Sequence, residues 1–229
     1  AALEAASRGI NWTFAPMIDV SRDPRWGRIA ESLGEDPYLH GVLGAAMIRG
    51  FQGDDLASPG TIAACAKHFA GYGASESGRD YNTTNIPENE LRNVYLRPFK
   101  AAVDAGVATL MASFSDLNGV PATANEFLMR QVLRDEWGFQ GFVVSDWASI
   151  EQLSVHGITA NDREAALAAV PAGGNMVMAT STSADPLAGL LDVGRILRTL
   201  IDEMVAGILR GTVALGLCDG PSTDPSTLP

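Results

Sequence analysis

Short apolar runs alternate with longer amphipathic stretches along this chain, and that alternation predicts its architecture. Residues 10–14, 61–65, 107–111, 142–145 and 175–178 read as strands of four to six mainly apolar residues. Between them, stretches near 36–53, 87–106, 125–137 and 162–172 carry helical periodicity, and 196–209 reads as a final amphipathic helix. The first of these has Asp36 as expected N-cap, Pro37 as first helical residue and Gly53 as stop. Its predicted buried face is Leu39, Val42, Leu43, Ala46 and Met47. The second has Asn85 and Glu88 at capping-box spacing, an apolar face of Leu91, Val94, Tyr95, Phe99, Ala102 and Val103, and a kink expected at Pro98. The third is expected to start on Asn125 and to stop at Gly138.

Strands separated by helices indicate a parallel sheet covered by helices. Polar residues cluster directly after the strands: 19–28, Lys67-His68, 113–118 and Asp146-Trp147. A doubly wound sheet would concentrate such groups at one switch point, whereas a barrel spreads them around a rim. The predicted fold is therefore α/β, a (β/α) TIM-type barrel. Five clear strands and a weak sixth unit fall short of eight, so the barrel is expected to be incomplete, with units lying before Ala1. Residues 1–219, with a loop at 181–183, are assigned to this partial barrel domain, and the proline-rich segment 220–229 to an unstructured tail. The open sheet edges of such a barrel would favour self-association.

Composition narrows the partners. With 46% hydrophobic and 19% charged residues, the 229-residue chain can build a core. A formal net charge of −11 argues against nucleic acid as a partner. No apolar run of about 18 residues or more is present to cross a membrane. Cys65 and Cys218 stand far apart, which suits neither a disulfide framework nor a zinc site. The first residues lack the basic end and apolar centre of a signal peptide and read like the tail of a helix that begins elsewhere.

The chemistry-bearing residues each have a plain structural alternative. Asp146 ends the run Gly141-Phe142-Val143-Val144-Ser145, where an acid is as often a cap for the next helix as a reactive group. Trp147 beside it is either a platform for the apolar face of a sugar ring or a core residue. Lys67 and His68 are donors suited to hydroxyls or structural groups. His40 and His156 lie on other elements, without metal-ligand spacing. No Gly-x-Ser-x-Gly elbow and no phosphate-binding loop is present. Arg22, Arg25 and Arg28 interleave with Asp23 and Trp26, as a fork for ligand oxygens or as a self-paired loop. Spacing does not select which arginine faces inward.

Several of these segments, in register from about Ile10 to Met178, resemble family 3 glycoside hydrolases of the β-glucosidase type. They are Ala15-Pro16-Met17-Ile18-Asp19 through Arg25-Trp26-Gly27-Arg28, Lys67-His68-Phe69-Ala70, Ser115-Asp116-Leu117-Asn118-Gly119, and Leu133-Arg134-Asp135-Glu136-Trp137-Gly138-Phe139 through Ser145-Asp146-Trp147. The resemblance implies retaining hydrolysis of terminal β-D-glucosyl residues, with Asp146 as nucleophile and no metal or organic cofactor. It implies sugar contacts from Arg28, Lys67 and His68, a further basic contact from Arg79, and an aromatic contact from Trp147. Lys67, Arg28 and Arg79 are then expected to hold Asp146 ionised. In the family the acid/base glutamate usually belongs to a second domain, so Glu76 and Asp80 are the stand-in candidates within this chain. β-Xylosidase or β-glucan hydrolase activity and a sugar-binding but inactive fragment are the alternatives. For a full-length protein the resemblance implies a periplasmic or secreted location.

Overall fold

In the computed structural model, which describes residues 1–179 and 184–219, the chain lays five parallel segments side by side in sequence order. The first pairs through Trp12 with Ala63 and through Met17 with Lys67. Next come β1 (Cys65–Phe69) and β2 (Thr109–Ala112). A two-stranded antiparallel turn, β3 (Asp116–Leu117) with β4 (Val120–Pro121), follows β2. Then β5 (Phe142–Val144) pairs with β2, and Met176 bridges to Val144. This order, with helices between the strands, is the incomplete (β/α) barrel expected from the alternation. The predicted loop at 181–183 and the predicted unstructured tail at 220–229 lie outside the described residues.

Both faces of the strands are buried. Inside the curve, Trp12, Cys65, Met111, Val144, Met176 and Met178 pack together. Outside it, Ala64, Ala66, Phe69, Leu110, Ala112 and Val143 meet helix residues such as Leu91, Phe99, Leu128 and Val132. Each fully buried Leu or Phe contributes about 1.5–3 kcal/mol relative to exposure.

The helices are α1 (Ala2–Ser7), α2 (Pro37–Gln52), α3 (Glu88–Glu90), α4 (Arg97–Asp104), α5 (Gln152–Val155), α6 (Asp162–Ala172), α7 (Ala184–Asp192) and α8 (Arg198–Ala214). Asp36 caps α2 as expected, accepting from the Tyr38 N–H at 2.8 Å. The buried face of α2 is the opposite of the one predicted: His40, Gly41, Gly44, Ala45, Ile48 and Gln52 face inward. Leu39, Val42, Leu43 and Met47 are exposed. The reason is close approach. A Cβ on Gly44 would sit 2.8 Å from the Ile18 side chain, and one on Gly41 would sit 3.1 Å from Ala101. Small residues let α2 lie tightly on the first strand and α4, and that outweighs the larger stripe on its far side.

Two further expectations shift. The capping box is not formed: Asn85 donates to Glu76 Oε1 at 2.5 Å, and α3 has no side-chain cap. The helix does break before Pro98, as a π-helical turn over Leu91–Tyr95. The predicted third helix is π-helical over Phe127–Glu136, with Asn125 Oδ1 accepting from the Leu128 N–H. The strand ends are also tied by side chains. Gln52 donates to Gly106 O and accepts from the Ala64 and Ala108 N–H groups. Arg134 donates to the carbonyls of Phe139 and Gly141 and to Asn175 Oδ1, which also accepts from the Val143 N–H. Burial lowers the Arg134 pKa to about 10.

Candidate active site

The rim at the C-terminal ends of the strands gathers Asp19, Arg28, Lys67, His68 and Asp146. Asp146 lies one residue beyond β5, past the buried Ser145, so the strand sets its position. Its two oxygens differ. Oδ1 accepts from the Trp147 N–H at 2.7 Å, but a turn follows and the next helix, α5, begins only at Gln152, so Asp146 is not its cap. Oδ2 is buried without a hydrogen-bond partner and lies 3.4 Å from His68 Nε2.

Lys67 and His68 do not follow a strand, as the pattern suggested; they lie within β1. Pairing with β2 slips at this point, Lys67 standing opposite Met111 and Phe69 opposite Ala112. The extra residue is His68, and a bulge of this kind re-aims a side chain. The first strand also runs past its predicted end at residue 14, since Ala15-Pro16 lies inside a paired segment. Its carbonyls accept from the Cys65 and Lys67 N–H groups, and Ile18 N–H donates to Lys67 O. This continuation of the first strand brings Asp19 against His68.

Asp19 was not singled out in the sequence. Its carboxylate is 2% exposed, and Oδ2 accepts from both the His68 backbone N–H (3.0 Å) and Nδ1 (2.7 Å). Pairing across 49 residues leaves no local signal for this contact.

Of the three loop arginines, Arg28 faces inward. Its Nη1 lies 3.2 Å from His68 Nε2, while Nε and Nη2 grip Glu31 at 2.6 and 2.8 Å. Its guanidinium also stands 5.6 Å from the centre of the Tyr72 ring. Arg22 pairs with Glu90 and Arg25 with Asp23, so those two are self-paired surface groups. Lys67 is half-buried, and its ammonium has no hydrogen-bond partner among the described residues.

The charge balance at Asp146 departs from expectation. Burial raises its pKa, and His68, the Trp147 N–H, Arg28 and Lys67 only oppose that rise. Arg79 has no part in it; the residue is exposed.

Trp147 is 66% exposed, which removes the core alternative and leaves an indole standing beside Asp146. Trp26, by contrast, is a buried prop. It packs edgewise on Tyr72 and donates from Nε1 to Asp80 at 3.0 Å. Tyr72 packs against His68, and Phe114 and Tyr81 continue the ring cluster outward. Asp80 is thus tied to Trp26 and Glu76 to Asn85; neither is bonded to Asp146, His68 or Arg28. Glu76 lines a polar cleft of about 510 Å³ with Arg22, Arg25 and Glu90.

Residues 1–210 match the glycosyl hydrolase family 3 N terminal domain. Over 220 residues, 96% of the chain, the sequence is 42% identical to a periplasmic β-glucosidase of Salmonella typhimurium and covers 29% of that protein. A β-xylosidase of Formosa agariphila is 38% identical over 95% of the chain and 32% of its own length. A crystal structure of the Listeria innocua β-glucosidase in complex with glucose superposes on 96% of the chain and 31% of its own, with a TM-score of 0.93 and 44% identity. The chain spans about 30% of the length of the relatives it matches.

Proposed function

The chain belongs to glycosyl hydrolase family 3, and from that premise we propose that it is the nucleophile-bearing part of a retaining β-glucoside hydrolase. The observation that carries the reading is Asp146 itself. One carboxylate oxygen is fixed by the Trp147 N–H, while the other stands unbonded beside His68, Arg28 and Lys67.

In this reading, Oδ2 attacks the anomeric carbon as the bond to the leaving group breaks, giving a glycosyl-enzyme. Water then attacks the same carbon and frees Asp146 with net retention. Nδ1 of His68 is held by Asp19, so Nε2 is the ring atom left to meet a sugar hydroxyl or the nucleophile. Arg28 and Lys67 offset the cost of keeping a buried carboxylate charged. Trp147, exposed beside Asp146, supplies an apolar face for a sugar ring.

Departure of an alkoxide needs a proton. Glu76 and Asp80 are both engaged elsewhere, so the proposal assigns this chain to substrates whose leaving group departs unprotonated. The β-xylosidase relative keeps pentosides as a second substrate class. The periplasmic relative supports action outside the cytoplasm for the whole protein.

The test compares an activated aryl β-glucoside, the matching aryl β-xyloside and an unactivated β-linked disaccharide. Hydrolysis of the aryl glucoside alone is the expected result. Asp146→Asn is expected to lower that rate on the order of 10⁴–10⁶-fold. Full activity in the variant would remove Asp146 from the reaction, and cleavage of the disaccharide would show that a proton donor is present.

A further inference from the structure

Resting on the hydrolase reading of the site, we propose that Asp19 is a positioning residue: its carboxylate seats His68 so that Nε2 faces Asp146, and thereby sets the charge environment of the nucleophile.

One oxygen of Asp19 receives both N–H groups of His68, from the main chain and from Nδ1. Carboxylates only accept, so Nδ1 carries the proton and the ring cannot turn over without losing that bond. The unmatched atom is then Nε2. Its two neighbours make opposite demands: Arg28 Nη1, at 3.2 Å, can only donate, and ionised Asp146 Oδ2, at 3.4 Å, can only accept.

Asp19 is itself pinned. Its backbone carbonyl accepts from Ser32 Oγ at 2.9 Å and stands 3.2 Å from Nε2 of the buried His40. Its Oδ1, by contrast, is buried without a partner. A carboxylate held almost wholly out of water with one oxygen unbonded is a costly arrangement for packing alone. The side-chain bonds it does make both go to His68.

The charged and titratable groups around the proposed nucleophile are His68, Arg28, Lys67 and the buried Cys65, with Glu31 on Arg28 and Tyr72 against the His68 ring. Oδ2 of Asp146 can accept from the ring only where Nε2 carries a proton. The tautomer that Asp19 fixes therefore decides whether Nε2 turns a lone pair or an N–H toward the nucleophile.

Asp19→Asn keeps the size and one acceptor oxygen but removes the charge. Imidazole ¹⁵N spectra are practical in a chain with 3 histidines, and they read the tautomer without any need for hydrolysis. That separates failure of this inference from failure of the hydrolase reading. The expected native ring is protonated at Nδ1, with a mixed Nδ1–H and Nε2–H population in Asp19→Asn. With an activated aryl β-glucoside, kcat/KM should fall about 10- to 100-fold, by analogy with carboxylates that orient metal-bound histidines. Its acid limb should also move to lower pH, because an Nε2–H facing Oδ2 favours the charged form of Asp146. In a His68→Ala background the Asp19 substitution should add nothing. An unchanged tautomer in folded Asp19→Asn, an unmoved acid limb, or an equal loss without His68 would each overturn the proposal. Should the variant not fold, a native His68 ring protonated at Nε2 alone would overturn it as well.

Discussion

Asp146→Asn should make the protein more stable while disabling the proposed reaction. The native carboxylate is buried, with Oδ2 unpaired, and burial raises its pKa above the ordinary 3.8. The folded chain therefore keeps the Asp146 proton to higher pH than the unfolded chain does. From this group alone, stability declines as pH rises from the ordinary carboxylate value through the raised one, and the full cost is carried at neutral pH. In the Asn variant, Oδ1 still accepts from the Trp147 N–H, and an amide N–H takes the place of the orphan oxygen, facing His68 Nε2. Relieving an unsatisfied buried acceptor is worth about 1–3 kcal/mol. Urea unfolding followed by circular dichroism would register this as a rise of roughly 1 M in midpoint at pH 7. The gain should shrink toward zero as the pH is lowered and the native Asp146 is protonated. A variant no more stable at pH 7, or a gain that persists unchanged in acid, would refute the reasoning.

Two other substitutions probe the frame and the rim. Gly73→Ala places a Cβ 2.2 Å from the Val20 carbonyl, a backbone atom with little freedom to move, so it should cost about 1–3 kcal/mol or more. An unchanged urea midpoint would contradict that close approach. Trp147→Ala removes a largely exposed ring, so stability should stay within about 0.5 kcal/mol. Competitive binding of a β-linked disaccharide should weaken roughly fivefold, about 1 kcal/mol. Equal binding by the two proteins would remove Trp147 from the ligand site.

The strand–helix alternation was legible because each buried strand is a short apolar run with no competing periodicity. The rim residues were legible because they stand at or near the strand ends. What escaped the sequence depends on shape or on distant partners. The inward face of α2 is chosen by Gly41 and Gly44, whose value lies in the side chain they lack, while periodicity rewards the larger Leu39 and Val42. Asp19 looked like the first acid of a charged loop, since its partner His68 lies in another strand. Arg22, Arg25 and Arg28 are equivalent as spacing and separate only once Glu90, Asp23 and Glu31 take their places. Lys67 and His68 were placed after a strand because a bulge adds a residue that a simple alternation does not anticipate.

The polar side chains buried at the two ends of the strands are not treated alike. At the strand beginnings, Gln52, Arg134 and Asn175 are bonded to the backbone, and Trp12 Nε1 donates to Thr109 Oγ1. The side-chain atoms without a partner among the described residues are Asp19 Oδ1, Tyr72 Oη, Asp146 Oδ2 and Ser149 Oγ, all past a strand end on the rim. For protein engineering this divides the chain into a keel and a deck. Loops on the deck can be exchanged to recruit new ligands, because little of the keel's bonding runs through them. Redesign of the keel would have to replace its linked donors and acceptors together.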